Sequence, residues 1–268
     1  MDANAAFVDG IPQNYDRYLG PLLFHGFADD LAARLDVKAG LRVLETACGT
    51  GIVTARLARR LGGHGTLVAT DLNEPMLAQA RTKMPGAAIE WRRADATALP
   101  FDDASFDAVA CQFGLMFYPD KAKGVREAWR VLRPGGVYLF NVWDVMARNP
   151  AARITHEVAA EMFPSDPPRF YLVPFSLAET RQVSAWLSDA GFQDVAPIPV
   201  TTTGTSESAE SAATGLIDGN PIAAAIVERR ADALPDARAE VARRVAAELG
   251  ARPVRNPMRA FVFAARKP

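Results

Sequence analysis

The stretch VLETACGTG, residues 43–51, decides the fold that we predict for this chain. A short apolar run leads into it from residue 41. In the run that follows it, apolar residues recur every four positions: Val53, Leu57 and Leu61. This pattern predicts a strand over 41–47, a glycine turn and a helix over 51–61. Gly49 and Gly51 let a ligand approach the backbone closely, and the free N–H groups of the helix point back at the turn.

Four more apolar runs follow at similar spacing, and each alternates with an amphipathic segment. They predict strands over 66–70, 88–92, 106–112 and 137–143. Because crossovers between parallel strands are right-handed, this alternation predicts a doubly wound α/β fold with a mostly parallel sheet. A ligand should then lie at the carboxyl ends of the strands, near the end of strand one.

The segments outside this core are less regular. Residues 15–35 are predicted to be helical, with a break at Gly20-Pro21. Residues 176–179, SLAE, form a capping-box pattern that predicts the start of another helix. A strand over 194–203 comes next, and the Thr/Ser/Ala-rich segment 201–214 is interpreted as a strand end running into a helix start. Helices near 220–231 and 235–249 and a closing strand over 258–264 complete the predicted order.

Length and composition limit the possible functions. The 268 residues suit one large α/β domain, and 49% hydrophobic residues can supply a sizeable core. A net charge of −1 gives no electrostatic reason to expect nucleic acid as a partner. Cys48 and Cys111 fall at predicted buried strand ends, which favours a reduced, cytoplasmic protein without disulfides. We find no signal-peptide pattern and no apolar run of membrane-spanning length, so we expect no stable membrane insertion. A homodimer is possible.

Polar side chains end four of the predicted strands. Glu45 lies at the end of strand one, and Asp71, 26 positions later, ends strand two. Asp95 follows strand three and Gln112 ends strand four. A carboxylate at the end of strand two can accept hydrogen bonds from both hydroxyls of a ribose. Several carboxylates on one rim are poorly explained by packing, because a buried charge without a partner costs several kcal/mol.

Five motifs together carry a resemblance to a known family. They are ETACGTG (45–51), ATDLN (69–73), DATALPF (95–101), SFD (105–107) and LRPGG (132–136). The set resembles the class I S-adenosylmethionine-dependent methyltransferases, most closely the ubiquinone/menaquinone-biosynthesis type. Where the family usually has its first glycine, this chain has Ala47.

The resemblance implies a seven-stranded sheet whose last strand is antiparallel and inserted beside strand five. It implies one methyltransferase domain over 1–268, with a cofactor-binding core over 36–145. Segments 1–30, 148–175 and 205–250 fall outside the five-strand core by pattern and hold several aromatic residues, so we predict that they form a helical cap over the carboxyl rim of the sheet.

The resemblance also implies S-adenosylmethionine as cofactor. The residues that would bind it are Tyr15, Tyr18, Glu45, Ala47, Cys48, Gly49, Gly51, Asp71, Leu72, Met76, Asp95, Ala96 and Gln112. The turn at 47–51 would approach the methionine part, and Glu45 and the Gln112 main chain would hold its ammonium group. Asp71 would bind the ribose. Leu72 and Met76 would flank the adenine, with Asp95 and Ala96 at its edge. The N-terminal tyrosines would belong to a lid.

The implied reaction is methyl transfer to a small, partly apolar acceptor by in-line displacement. Because the sulfonium is already a strong methyl donor, positioning and exclusion of water matter more than a strong base. We therefore identify no catalytic residue and predict no metal. His25 and His156 are the candidate bases, although a surface or structural role is the simpler interpretation of each. Aromatic residues that follow strands four and five or lie in the insertion could line an apolar acceptor pocket: Phe113, Phe117, Tyr118, Trp143, Phe170, Tyr171 and Phe175.

Two other functions stay open at this stage. A nicotinamide-dependent dehydrogenase also needs a glycine turn and an acid at the end of strand two, but Thr54 replaces the third glycine of its fingerprint. A non-catalytic protein that binds S-adenosylmethionine would share the cofactor residues. Nucleic-acid methylation is disfavoured because QFGL, residues 112–115, stands where amino-group methylases of nucleic acids have an Asn/Asp-Pro-Pro-aromatic motif.

Overall fold

Seven strands form a single mixed sheet in the computed structural model, which describes residues 10–268. The strands are β1 Leu41–Glu45, β2 Gly65–Asp71, β3 Ile89–Arg93, β4 Phe106–Gln112, β5 Leu132–Trp143, β6 Ile198–Ser206 and β7 Val254–Arg266. Their order across the sheet is β3-β2-β1-β4-β5-β7-β6. Strands β2 and β3 lie on one side of β1, while β4 and β5 lie on its other side. The switch point of the sheet is therefore beside β1.

The strand directions confirm the predicted fold class. Strands β1 to β5 pair with one another in parallel, while β7 runs antiparallel to both β5 and β6. Residues 43–45 pair with both neighbours of β1, so this short strand is central and buried at its end. The carboxyl ends of β1, β2 and β4 consequently meet at one edge of the sheet.

Helices connect and flank these strands. They are α1 Ile11–Asn14, α2 His25–Ala33, α3 Ile52–Leu61, α4 Glu74–Lys83, α5 Lys121–Val131, α6 Pro150–Met162, α7 Thr180–Ala190, α8 Ala209–Asp218, α9 Ile222–Arg229 and α10 Leu234–Leu249. Helix α3 shows how local sequence sets the bounds, because glycines with left-handed backbone stand at both of its ends, Gly51 and Gly62. None of the helices within residues 10–268 combines the length and apolar character needed to cross a membrane.

The predicted break at Gly20-Pro21 is wrong. A π-helical segment, Tyr15–Phe24, continues directly from α1 into α2 and contains Pro21. In this wider helix the His25 N–H donates to the Gly20 carbonyl five residues back, so the chain passes the proline without ending the helix. Burial of Leu19, Leu22 and the neighbouring apolar side chains stabilises this segment.

The capping box predicted at 176–179 is also wrong. Helix α7 starts at Thr180 behind Glu179, which makes no side-chain capping bond. Residues 170–178 instead fold into successive tight turns, with backbone bonds from Ser176 to Val173 and from Ala178 to Phe175. The LRPGG motif at 132–136 forms the irregular start of β5, where the register with β4 shifts.

Candidate functional site

The glycine turn after β1 runs through left-handed backbone. Ala47, Gly49 and Gly51 have φ values of +51°, +55° and +79°. A left-handed conformation costs an alanine roughly 1–2 kcal/mol, which explains why a glycine suits position 47. The methyl group of Ala47 fits here because Gly114 leaves room: a Cβ on Gly114 would lie only 2.6 Å from the Ala47 Cβ.

Asp71 ties this turn to the end of β2. Its Oδ2 accepts from the Gly49 N–H at 2.8 Å, and its Oδ1 accepts from the Asn73 N–H at 2.8 Å. Burial raises the pKa of Asp71, and these hydrogen bonds oppose the rise. Each carboxylate oxygen has a second lone pair, so the group can also accept from a ligand. Asp71 therefore both orders the turn and faces the space above it.

A cavity lies over this rim, and we call it the rim cavity. It holds about 750 Å³ of open space, its mouth included. The site residues from the sequence that line it are Tyr15, Ala47, Gly49, Asp71, Leu72, Met76, Asp95, Ala96 and Gln112. Its size falls in the range of ligand sites. Its lining joins buried apolar side chains to carboxylate and amide groups, as a nucleoside-like ligand requires.

A smaller cavity beneath the turn is lined by Glu45 and Cys48, together with Tyr15 and Gln112 from the rim cavity. Glu45 is 1% exposed, and burial raises its pKa to about 8. Within the described residues, its Oε2 and the Gln112 Oε1 are buried acceptors without a hydrogen-bond partner. Unpaired buried acceptors cost about 1–3 kcal/mol each. A ligand with a positively charged N–H donor would satisfy both.

Four residues singled out from the sequence lie elsewhere. Tyr18 and Gly51 line neither of these two cavities. Tyr18 instead packs against α8 at Gly215. A Cβ added to Gly215 would lie only 2.6 Å from the Cβ of Tyr18. The candidate bases His25 and His156 also line neither cavity, and burial lowers the pKa of His25.

Seven further residues line the rim cavity. Phe113, Phe117 and Tyr118 are aromatic residues that the sequence predicted for the acceptor pocket, and the others are Asn73, Ala94, Gly114 and Pro119. Tyr118 is the most informative, because its hydroxyl donates to Thr46 Oγ1 at 3.1 Å and lies 3.3 Å from Cys111 Sγ. It thereby joins the loop after β4 to the turn after β1.

A third cavity, which we call the aromatic cavity, adjoins the rim cavity and shares lining residues with it. Its lining residues are Tyr15, Leu23, Phe24, Phe113, Phe117, Trp143, Asn149, Ala152, Phe170, Tyr171, Pro174, Phe175, Asn220, Asn256 and Met258. None of them is an Asp, Glu, Lys, Arg or His. The Tyr171 hydroxyl donates to the Leu216 carbonyl at 2.8 Å, and burial raises its pKa. Tyr15, Phe113 and Phe117 line both cavities.

Comparisons with known proteins agree with this geometry. A family model described as a methyltransferase domain matches residues 43–136. The ubiquinone/menaquinone biosynthesis C-methyltransferase UbiE of Idiomarina loihiensis is 43% identical over 104 residues, covering 37% of this chain and 41% of that protein. UbiE of Cronobacter sakazakii is 32% identical over 173 residues, covering 59% of this chain and 69% of that protein. The chain thus spans less than half of the first relative and just over two thirds of the second.

A solved structure shows the same fold. Haemonchus contortus phosphoethanolamine N-methyltransferase 2 in complex with S-adenosyl-L-methionine aligns with a TM-score of 0.60 at 19% identity, over 98% of this chain and 58% of that chain. The family match removes the reason to consider a nicotinamide-dependent dehydrogenase. From the glycine turn, the rim acids and these matches together, the chain belongs to the class I S-adenosylmethionine-dependent methyltransferases and is an enzyme with S-adenosylmethionine as its cofactor.

Proposed function

We propose that this enzyme transfers the methyl group of S-adenosylmethionine to a small, partly apolar acceptor that lies in the aromatic cavity. The observation that carries the proposal is the junction of the two cavities at three shared aromatic side chains, Tyr15, Phe113 and Phe117. A donor in the rim cavity and an acceptor in the aromatic cavity would meet there. In-line displacement needs this adjacency and a dry surrounding.

The proposed cofactor contacts follow from the groups that line the rim. Glu45 and Gln112 would accept from the ammonium group, and Asp71 would accept from the ribose hydroxyls. Leu72 and Met76 would flank the adenine, near Asp95. Asp95 is exposed, and its Oδ1 already accepts from the Thr97 N–H and hydroxyl, both at 2.8 Å. This leaves the Asp95 Oδ2 available to contact the adenine.

Positioning supplies most of the catalysis in this proposal. The titratable groups that line the aromatic cavity are the tyrosines Tyr15 and Tyr171, and burial raises the pKa of both above the ordinary range. Neither accepts a proton at neutral pH. The acceptor atom must therefore be nucleophilic without a strong base, or lose its proton after the methyl group has moved.

The acceptor should be neutral and contain a flat apolar ring. The cavity offers aromatic faces and carboxamides but no charge to pair with an anion or a cation. A ring related to quinones fits this description, and the similarity to ubiquinone/menaquinone biosynthesis C-methyltransferases supports it. We infer carbon methylation of such a ring as the specific reaction.

The cap segments would enclose this acceptor. Residues Leu23, Phe170 and Asn220 line the aromatic cavity from the three cap segments 1–30, 148–175 and 205–250. Residues 1–9 of the first segment lie outside the described part of the chain. A cap must open to admit substrate, so hydrogen exchange of residues 11–33 should slow when S-adenosylhomocysteine binds.

The test is methyl transfer from labelled S-adenosylmethionine to three matched probes: 1,4-naphthalenediol, 2-phenylethylamine and benzoate. We expect label in the diol, at carbon, and none in benzoate. Phe175→Ala should weaken use of the diol and leave the Kd of S-adenosylhomocysteine unchanged, because Phe175 lines only the aromatic cavity of the two. Label in benzoate would contradict the neutral pocket, and failure to bind S-adenosylhomocysteine at millimolar concentration would end the proposal.

A further inference from the structure

The residue between the two cavities has an unusual backbone. Phe113 has φ of +50°, in the left-handed region that side-chain-bearing residues rarely adopt. A phenylalanine persists there only when its surroundings over-determine the conformation. This conformation places the Phe113 ring in the lining of both cavities.

Aromatic packing holds one side of this residue. The Phe113 ring stacks on Trp143 with centroids 3.8 Å apart and planes 3° apart. It also meets the edge of Phe27 at 5.3 Å. These contacts hold the ring, but they do not set the peptide that precedes it.

The peptide is held by Asn141. The Phe113 N–H donates to the Asn141 Oδ1 at 2.9 Å, and both groups are buried. Asn141 lies opposite Gln112 in the pairing of β4 with β5, so its side chain reaches the first residue beyond the end of β4.

An asparagine at position 141 destabilises the fold relative to an apolar residue. It is 0% exposed within a strand of apolar neighbours, and its Nδ2 has no hydrogen-bond partner among the described residues. An apolar residue of similar volume would bury no unpaired donor. Stability alone therefore does not explain an asparagine here.

We propose that Asn141 is a positioning residue that holds Phe113 in its left-handed conformation and so sets the shape of the junction at which methyl donor and acceptor meet. The inference rests on the proposed function for the role of that junction. Without the Oδ1 acceptor, the Phe113 peptide would leave the left-handed region. The Phe113 ring and the adjoining Gln112 would then move out of the rim cavity.

The test is a double-mutant cycle with Asn141→Leu and Phe113→Gly, read by calorimetric binding of S-adenosylhomocysteine. Asn141→Leu in the parent should weaken binding about tenfold. In the Phe113→Gly background it should weaken binding by less than about threefold, because glycine adopts positive φ without strain. Asn141→Asp keeps an acceptor oxygen and should stay within about threefold of the parent. Leu139→Val, in the same buried strand and in the lining of neither cavity, is the control for general loss of packing.

A second readout uses no cofactor and so separates this inference from the proposed function. The emission of Trp143, taken as the difference between each variant and its Trp143→Phe counterpart, should shift in Asn141→Leu and not in Leu139→Val. If Asn141→Leu does not fold, Asn141→Val is measured in the same way. An equal loss of affinity in the parent and in the Phe113→Gly background, or an unshifted Trp143 emission, would overturn the assignment. If the parent binds no S-adenosylhomocysteine while the emission shifts, the proposed function fails and Asn141 still holds Phe113.

Discussion

Cofactor binding should release a proton from Glu45. The side chain is 1% exposed, and its pKa is raised to about 8 by burial. At pH 7 such a group is roughly nine-tenths protonated. The cationic ammonium group of S-adenosylmethionine or S-adenosylhomocysteine would favour the carboxylate and lower its pKa. Binding at pH 7 should therefore release about 0.9 proton per enzyme.

The same shift sets the pH dependence of affinity and stability. The ionised fraction is roughly 1% at pH 6 and 50% at pH 8, so affinity should rise on the order of tenfold to fiftyfold over that range. Because the folded-state pKa lies above the ordinary 4.5, the folded state retains its proton more strongly than the unfolded chain. Folding stability is then highest below pH 4.5 with respect to this group. It falls by a few kcal/mol as pH rises to about 8.

Calorimetry in buffers of different ionisation enthalpy measures the proton directly, since the observed binding enthalpy varies linearly with that of the buffer. Glu45→Gln keeps the shape of the side chain and has no proton to release. Its observed binding enthalpy should therefore not vary with the ionisation enthalpy of the buffer, and its affinity should stay constant between pH 6 and 8. Its folding stability at pH 8.5 should exceed that of the parent. Glu90→Gln, at an exposed strand position, should behave as the parent does. A slope of zero in the parent would refute the reasoning, because Glu45 would then be ionised before binding or remote from the ammonium group.

Three further outcomes are expected. Asp71→Asn should weaken S-adenosylhomocysteine binding by about 1.5–3 kcal/mol. It should also lower the Tm, because either the Gly49 N–H or the Asn73 N–H would then face an amide donor in place of a carboxylate oxygen. Unchanged binding measured by calorimetry would make Asp71 purely structural. Gly114→Ala should destabilise the fold by roughly 1–3 kcal/mol in urea unfolding, because the new Cβ would lie 2.6 Å from the Ala47 Cβ, and Ala47→Gly should recover part of the loss. Asp16→Ala should speed hydrogen exchange of residues 11–24, because Asp16 accepts a hydrogen bond from the Thr50 hydroxyl and so holds this segment. Global stability should change by less than about 1 kcal/mol. Unchanged exchange would contradict that anchoring.

Local patterns in the chain were enough to place the core strands and the acids on the rim. Strand 106–112 matches β4 in both bounds, and the other four parallel strands are displaced by a few residues at one or both ends. Asp71 and Gln112 could be assigned to one edge in advance because the carboxyl ends of parallel strands meet there. The hydrogen bond from Tyr118 to Thr46 could not be predicted, because it joins two turns that are distant along the chain.

Periodicity and glycine placement by themselves therefore determined the α/β class and the polar residues that end the strands, because each depends on interactions within one or two turns of chain. Tertiary structure alone decided the passage of the helix through Pro21, the left-handed Phe113 with its Asn141 partner, and the junction of the two cavities. The first two are conformations that local propensity disfavours. Each is held by buried contacts between segments far apart in sequence, and such contacts exist only once the sheet has formed.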